Sequence, residues 1–184
     1  MKMKRMRLFV VFLGALLFVS CAKRDTESKV VNMELSNFTL SVKTIRGEAN
    51  GKPFETEIKT YSSKLSVWGR TVDISFDPND LNSDLDGFVT RLSRQAQWII
   101  ISRAQIEDNI IAELLELKNS TWLEEGQKPV TRAQFLKAIV LTGITFYSDD
   151  SFEMYFADGN LFWGHTILVS GSKDKGIDSV AIAG

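Results

Sequence analysis

Phe38, Leu40 and Val42 alternate with Thr39, Ser41 and Lys43, the period-two pattern of a half-buried strand. Residues 47–53 have turn composition, and Phe54–Tyr61 predicts the returning partner. A second hairpin is expected from Leu65–Trp68, a tight turn at Gly69-Arg70, and Thr71–Phe76, where Val72, Ile74 and Phe76 share a face. From Leu85 the period changes. Leu85, Phe88, Val89, Leu92, Ala96 and Ile99 form one stripe on a 3.6-residue helix. Asn82 or Ser83 is placed to cap it, and Asp84 and Asp86 suit the positive end of its dipole. A second stripe runs through Ile106, Ile110, Leu114 and Leu117, widened by Ile111 and Leu115, with a kink expected at Trp98–Ser102. Asn119-Ser120 should end that helix. Thr131 and Gln134 fit a capping box, opening a short helix with Phe135, Leu136, Ile139 and Val140 inward.

The last forty residues read as a four-stranded antiparallel meander: Ile144–Ser148, Phe152–Ala157, Leu161–Ser170 and Ile177–Ile182. Asp149-Asp150-Ser151, Asp158-Gly159-Asn160 and residues 171–176 separate them with turn chemistry. Strands first, helices in the centre and strands last predict one α+β domain over residues 35–184. No internal repeat interrupts it.

Residues 1–7 carry Lys2, Lys4, Arg5 and Arg7 without an acid, residues 8–19 are apolar throughout, and Ser20 stands before Cys21. These are the three parts of an export signal, and the apolar run is shorter than the about 20 residues a transmembrane helix needs. LLFVSC resembles the lipobox of bacterial lipoproteins, with Phe18 an unusual residue there. Cleavage would leave Cys21 as the lipidated residue, carrying fatty acid such as palmitate, and residues 21–34 as a polar, flexible tether. The expected location is the bacterial cell envelope, with the domain outside the cytoplasm and anchored through Cys21.

Removing residues 1–20 turns the formal net charge of −1 into −5, because only basic residues leave. No basic footprint for nucleic acid remains. Cys21 is the only cysteine, so its acylation leaves no thiol for a disulfide or a soft metal site. The core then holds by packing alone, for which the chain has twelve Phe, four Trp and three Tyr.

Ile144–Tyr147, Ser151-Phe152-Glu153, Asp158-Gly159, Leu161-Phe162-Trp163-Gly164-His165 and Ala181–Gly184 together resemble the end of a bacterial domain-of-unknown-function family, number 2262. Leu114–Asn119 with Trp122-Leu123, and Trp68-Gly69 before a strand, are similar to it as well. The likeness covers most of residues 35–184, with 43–60 set apart as additional sequence. It implies a domain boundary and no chemistry. Its members ordinarily lack an export signal, so a lipidated copy would be a variant moved to the envelope.

His165 is the one imidazole in the chain. As a general base it would need a carboxylate to orient it, from Asp150, Glu153 or Asp158; as a structural ring it needs only a backbone partner. One His and no spare Cys exclude the usual zinc donor set. Asp149, Asp150, Glu153 and Asp158 suit Ca²⁺ by ligand type, but DDS and DGN are ordinary turn sequences without a calcium loop. Gly164 suggests a bulge in the third strand of the meander. Among Trp68, Trp98, Trp122 and Trp163, core is the default for at least two. Trp163 and Tyr155 are expected at a surface, because neighbouring residues on a strand point to opposite faces.

The sequence therefore predicts an envelope lipoprotein whose domain binds without catalysing, with no cofactor and no metal. Its candidate ligand or partner surface is Tyr155, Asp158, Trp163 and His165, and its partners are the membrane and a protein or envelope polymer. The competing readings are an envelope hydrolase using His165 with a carboxylate, and an immunity-type protein that neutralises a toxin.

Overall fold

In the computed structural model, which describes residues 30–81 and 84–184, seven strands form one sheet in the order of the chain. β1 (Thr39–Ala49), β2 (Lys52–Val67) and β3 (Arg70–Phe76) come first. α1 (Leu85–Ile101), α2 (Arg103–Thr121) and α3 (Arg132–Ala138) follow. β4 (Val140–Phe146), β5 (Ser151–Ala157), β6 (Thr166–Ser172) and β7 (Gly176–Ala183) complete the sheet. The class is mixed α+β. Both ends are antiparallel, as the pattern predicts, but β3 and β4 pair in parallel and join them into one sheet. A parallel neighbour needs a long crossover, and the three helices supply it.

Register explains the core. Ile74, Ile144, Met154, Val169 and Val180 lie opposite one another in turn, as do Phe76, Phe146, Phe152, Gly171 and Ile177. These rows meet Phe88, Leu92 and Ile99 of α1, Ile106 and Ile110 of α2, and Phe135 of α3 in one cluster. The residues between them, Ser75, Thr145, Glu153 and Ser170, form the other face of the sheet.

The two N-terminal hairpins each turn on two residues with positive φ. Asn50 and Gly51 (54° and 72°) join β1 to β2, and Trp68 and Gly69 (52° and 80°) join β2 to β3. Such pairs match the twist of antiparallel strands. β2 is a single sixteen-residue strand, so Phe54–Tyr61 and Leu65–Val67 belong to one element rather than two. The second turn falls one residue before the expected Gly69-Arg70. Trp68 sets it there: its indole donates to the Ile100 carbonyl at 3.2 Å, and the Arg103 guanidinium lies 5.4 Å from its ring centre.

That contact also bears on the helices. The apolar stripe runs unbroken from Ile99 to Ile106, yet Ser102 (φ −91°, ψ 17°) leaves the helical region and separates α1 from α2. The expected kink is thus a break of one residue. It follows three β-branched isoleucines, Ile99–Ile101, and Trp68 occupies a carbonyl that a continuous helix would use itself. α1 is capped by Asp84, whose side chain accepts the Gly87 N–H at 3.1 Å. Asn82 and Ser83, the expected caps, lie outside the described residues. The Thr131–Gln134 capping box forms as expected, but Val140 opens β4 instead of ending α3.

Cys21, the export segment and the tether as far as residue 29 lie outside the described residues. Residues 30–34, assigned to the tether by composition, run against α1: the Val31 N–H donates to Gln97 Oε1 at 2.7 Å and the Met33 N–H to Ser93 Oγ at 3.0 Å.

Candidate functional site

The connection from β5 to β6 is built around one carboxylate. Asp158 is 4% exposed and accepts three backbone N–H groups. Oδ1 takes Asn160 at 3.1 Å, while Oδ2 takes Phe162 at 2.6 Å and Gly164 at 3.1 Å. The three donors replace the water a buried carboxylate loses. Gly159, Asn160, Trp163 and Gly164 all have positive φ, so the chain coils around the carboxylate. Residues 161–165 are consequently a loop, not the start of the third meander strand, and Gly164 is a turn residue, not a strand bulge. Gly159 also meets α3 closely: a Cβ there would lie 2.3 Å from the Ala138 carbonyl oxygen.

The loop divides two adjacent aromatic residues. Phe162 is fully buried and packs against Trp122 and Phe135. Trp163 is 60% exposed. The surface position expected for Trp163 is observed, for a different reason: left-handed backbone geometry turns it outward, not strand alternation.

Trp122 gathers the site. It follows α2, where the buried Lys118 ammonium donates to its carbonyl at 2.6 Å and sits at the negative end of the helix. Asn119 donates to the Val130 carbonyl at 2.9 Å and accepts the Val130 N–H at 2.7 Å, closing the loop that carries Trp122. The Trp122 ring stands edge-to-face against Phe162, Trp163 and His165, with centroids 5.5, 4.9 and 5.3 Å away.

His165 Nδ1 lies 2.5 Å from the Phe162 carbonyl oxygen. A carbonyl accepts only, so Nδ1 is the donor in this contact. None of the three expected carboxylates serves this ring. Asp158 is committed to the loop amides, Asp150 to Arg91 at 3.0 Å, and Glu153 to the hydroxyls of Tyr147 and Tyr155 at 3.2 and 2.5 Å. An open hollow of about 510 Å³ adjoins the imidazole, with Glu113, Leu117, Trp122, Val180 and Ile182 among its walls.

The anticipated set therefore separates. Trp163 and His165 come together over Trp122, with Asp158 beneath them as a scaffold rather than a ligand. Tyr155 is half-buried on the opposite face of the sheet from Met154 and Phe156. There it and Tyr147 share Glu153, and both phenols are raised above their ordinary value, by burial first and then by a hydrogen bond, to Tyr155 for Tyr147 and to Glu153 for Tyr155. The Asp149 carboxyl is held below its ordinary value by the Ser151 hydroxyl, at 2.6 Å, and amide, at 3.0 Å, as a turn residue. Among the described residues no group of three or more His, Cys, Asp or Glu side chains is arranged to hold a metal ion. Trp122, Lys118 and Asn119 were absent from the expected site. The signals for them were the position of Trp122 just past a helix end and the family likeness of Leu114–Asn119 with Trp122-Leu123.

The model of a family described as an uncharacterised protein conserved in bacteria, DUF2262, matches residues 53–182. The chain belongs to this family. The DUF2262 match begins in β2, ends in β7 and takes in the whole Trp122–His165 site. It includes residues 53–60, which the resemblance set apart, and leaves out β1. No curated protein and no solved structure matches the chain.

Proposed function

We propose that this is a lipid-anchored envelope protein whose domain binds a protein or polymer partner, without catalysis, at the surface formed by Trp163, His165 and Trp122. The observation that carries the reading is the 60% exposure of Trp163 in a loop fixed by three hydrogen bonds to a buried carboxylate. A large aromatic side chain held outward on a rigid loop loses little entropy when a partner covers it, and such residues dominate recognition surfaces. The orienting carboxylate that a His-based hydrolase would use is engaged elsewhere, which favours binding over acid–base chemistry.

The anchor rests on the sequence around Cys21. A single acyl chain holds a protein only marginally, so the reading requires a multiply acylated cysteine. Cys21→Ala is expected to leave the protein unprocessed or released from membranes. Purified protein should leave cell-wall polymer intact. Hydrolysis by the wild type that is lost in a folded His165→Gln variant would replace this reading with the enzymatic one.

A further inference from the structure

β7 is the last strand of the sheet; β6 pairs with one side, and among the described residues no strand pairs with the other. α2 lies beside this free edge, with a groove between them. One part, about 280 Å³, is lined by Asn109, Glu113 and Asp178. The other is the 510 Å³ hollow that ends at Trp122 and His165. Glu113 and Val180 line both parts, so they meet there.

Two observations say what fits. Val180 and Ile182 pair with Val169 and Ile167 on the helix side of the sheet, whereas Ser179 and Ala181 pair with Ser170 and Leu168 on the open side. All four line the groove. A hollow touching successive residues that point opposite ways follows the strand's edge, where backbone N–H and C=O groups await a partner. The second observation is charge. Glu113 and Asp178 line the groove, no Lys or Arg does, and neither carboxylate forms an ion pair among the described residues.

We infer that the α2–β7 groove accepts an extended segment of another polypeptide as an eighth strand. A Lys or Arg of that segment meets Glu113 and Asp178, and an apolar side chain reaches the Trp122–His165 end. This deepens the proposed binding role and rests on it. Strand addition of this kind draws affinity from the main chain and specificity from alternate side chains. Asn109 to Trp122 spans roughly 20 Å of helix and its cap, enough for about six extended residues.

The test uses the full chain in detergent and two bead libraries of nine-residue peptides, one with Arg fixed at the centre and one with Glu. The Arg library is expected to enrich. Its best peptide should protect β7 amides from hydrogen exchange and lose binding when its alternate amides are N-methylated. The double variant Glu113→Gln, Asp178→Asn should bind it roughly fivefold more weakly, whereas Glu153→Gln should not change binding. Failure of both libraries, equal enrichment, or indifference to N-methylation overturns the inference. Protection centred on the Trp163 loop with β7 unprotected also overturns it, while leaving the Trp163 surface standing. Concentration-dependent self-association abolished by Glu113→Lys would make the occupant a second copy and overturn it too.

Discussion

The carboxylate of Asp158 accepts the backbone N–H of Phe162 at 2.6 Å, and that bond sits where the chain divides its aromatic residues between core and solvent. Phe162 goes inward onto Trp122, and Trp163, one residue later, goes outward. The same carboxylate holds both ends of the loop. A buried acid thus serves as the frame of an exposed aromatic surface.

Asp158→Ala should cost about 3 kcal/mol, because three N–H groups lose their acceptor and that of Phe162 is buried. Asp158→Asn keeps one acceptor oxygen and should cost roughly half as much. Urea unfolding followed by circular dichroism measures both. The expected order is wild type, Asn, Ala; an Ala variant as stable as wild type would remove the frame argument.

Two glycines of the same loop should respond unequally. Gly164 has φ +86° with open space around it, so Gly164→Ala meets backbone strain alone, about 1 kcal/mol. Gly159 has φ +60° and faces the Ala138 carbonyl, so Gly159→Ala adds a collision and should cost roughly 2–4 kcal/mol. Thermal melts of the pair decide the order.

Tyr147 and Tyr155 should titrate above a free tyrosine. Burial, the first cause for each, disfavours the phenolate in the folded protein. With the folded value raised, the stabilisation is fully present below the unfolded value of about 10 and falls as pH rises beyond it. Ultraviolet titration of the folded protein should show two delayed phenols, and unfolding midpoints should decline above about pH 10. The double variant Tyr147→Phe, Tyr155→Phe should flatten that decline. An unchanged decline would assign it to other groups.

Much of the fold was legible because most elements obey one period at a time. Val72, Ile74 and Phe76 announce β3, and Phe88, Leu92 and Ile99 announce α1. The break at Ser102 was not legible. The stripe from Ile99 to Ile106 has the spacing of a continuous helix, and the interruption is tied to Trp68, far away in sequence. The parallel β3–β4 pair was hidden for the same reason, since no local pattern states which strand a crossover rejoins. At the site, His165 was found by residue type, and Trp163 by a strand-alternation argument whose strand is a loop in the structure. Leu161–His165 reads as strand because it is apolar, and the left-handed turns that break it depend on Asp158 filling its own loop. Trp122 joins the site through Lys118 and Asn119, whose contacts a one-dimensional reading treats as an ordinary helix end.

The proposed function requires that the Trp163 surface meet a partner. The most direct measurement replaces Trp163 with a photoreactive benzophenone amino acid in the full-length chain, expressed in its native bacterium and irradiated. Ile101, 62% exposed and on a different part of the surface, is replaced likewise as the control. A discrete cross-linked product is expected from position 163 and none of that mass from position 101. Equal products from both positions, or none from position 163 while the protein is folded and membrane-bound, would show that no partner is held at Trp163.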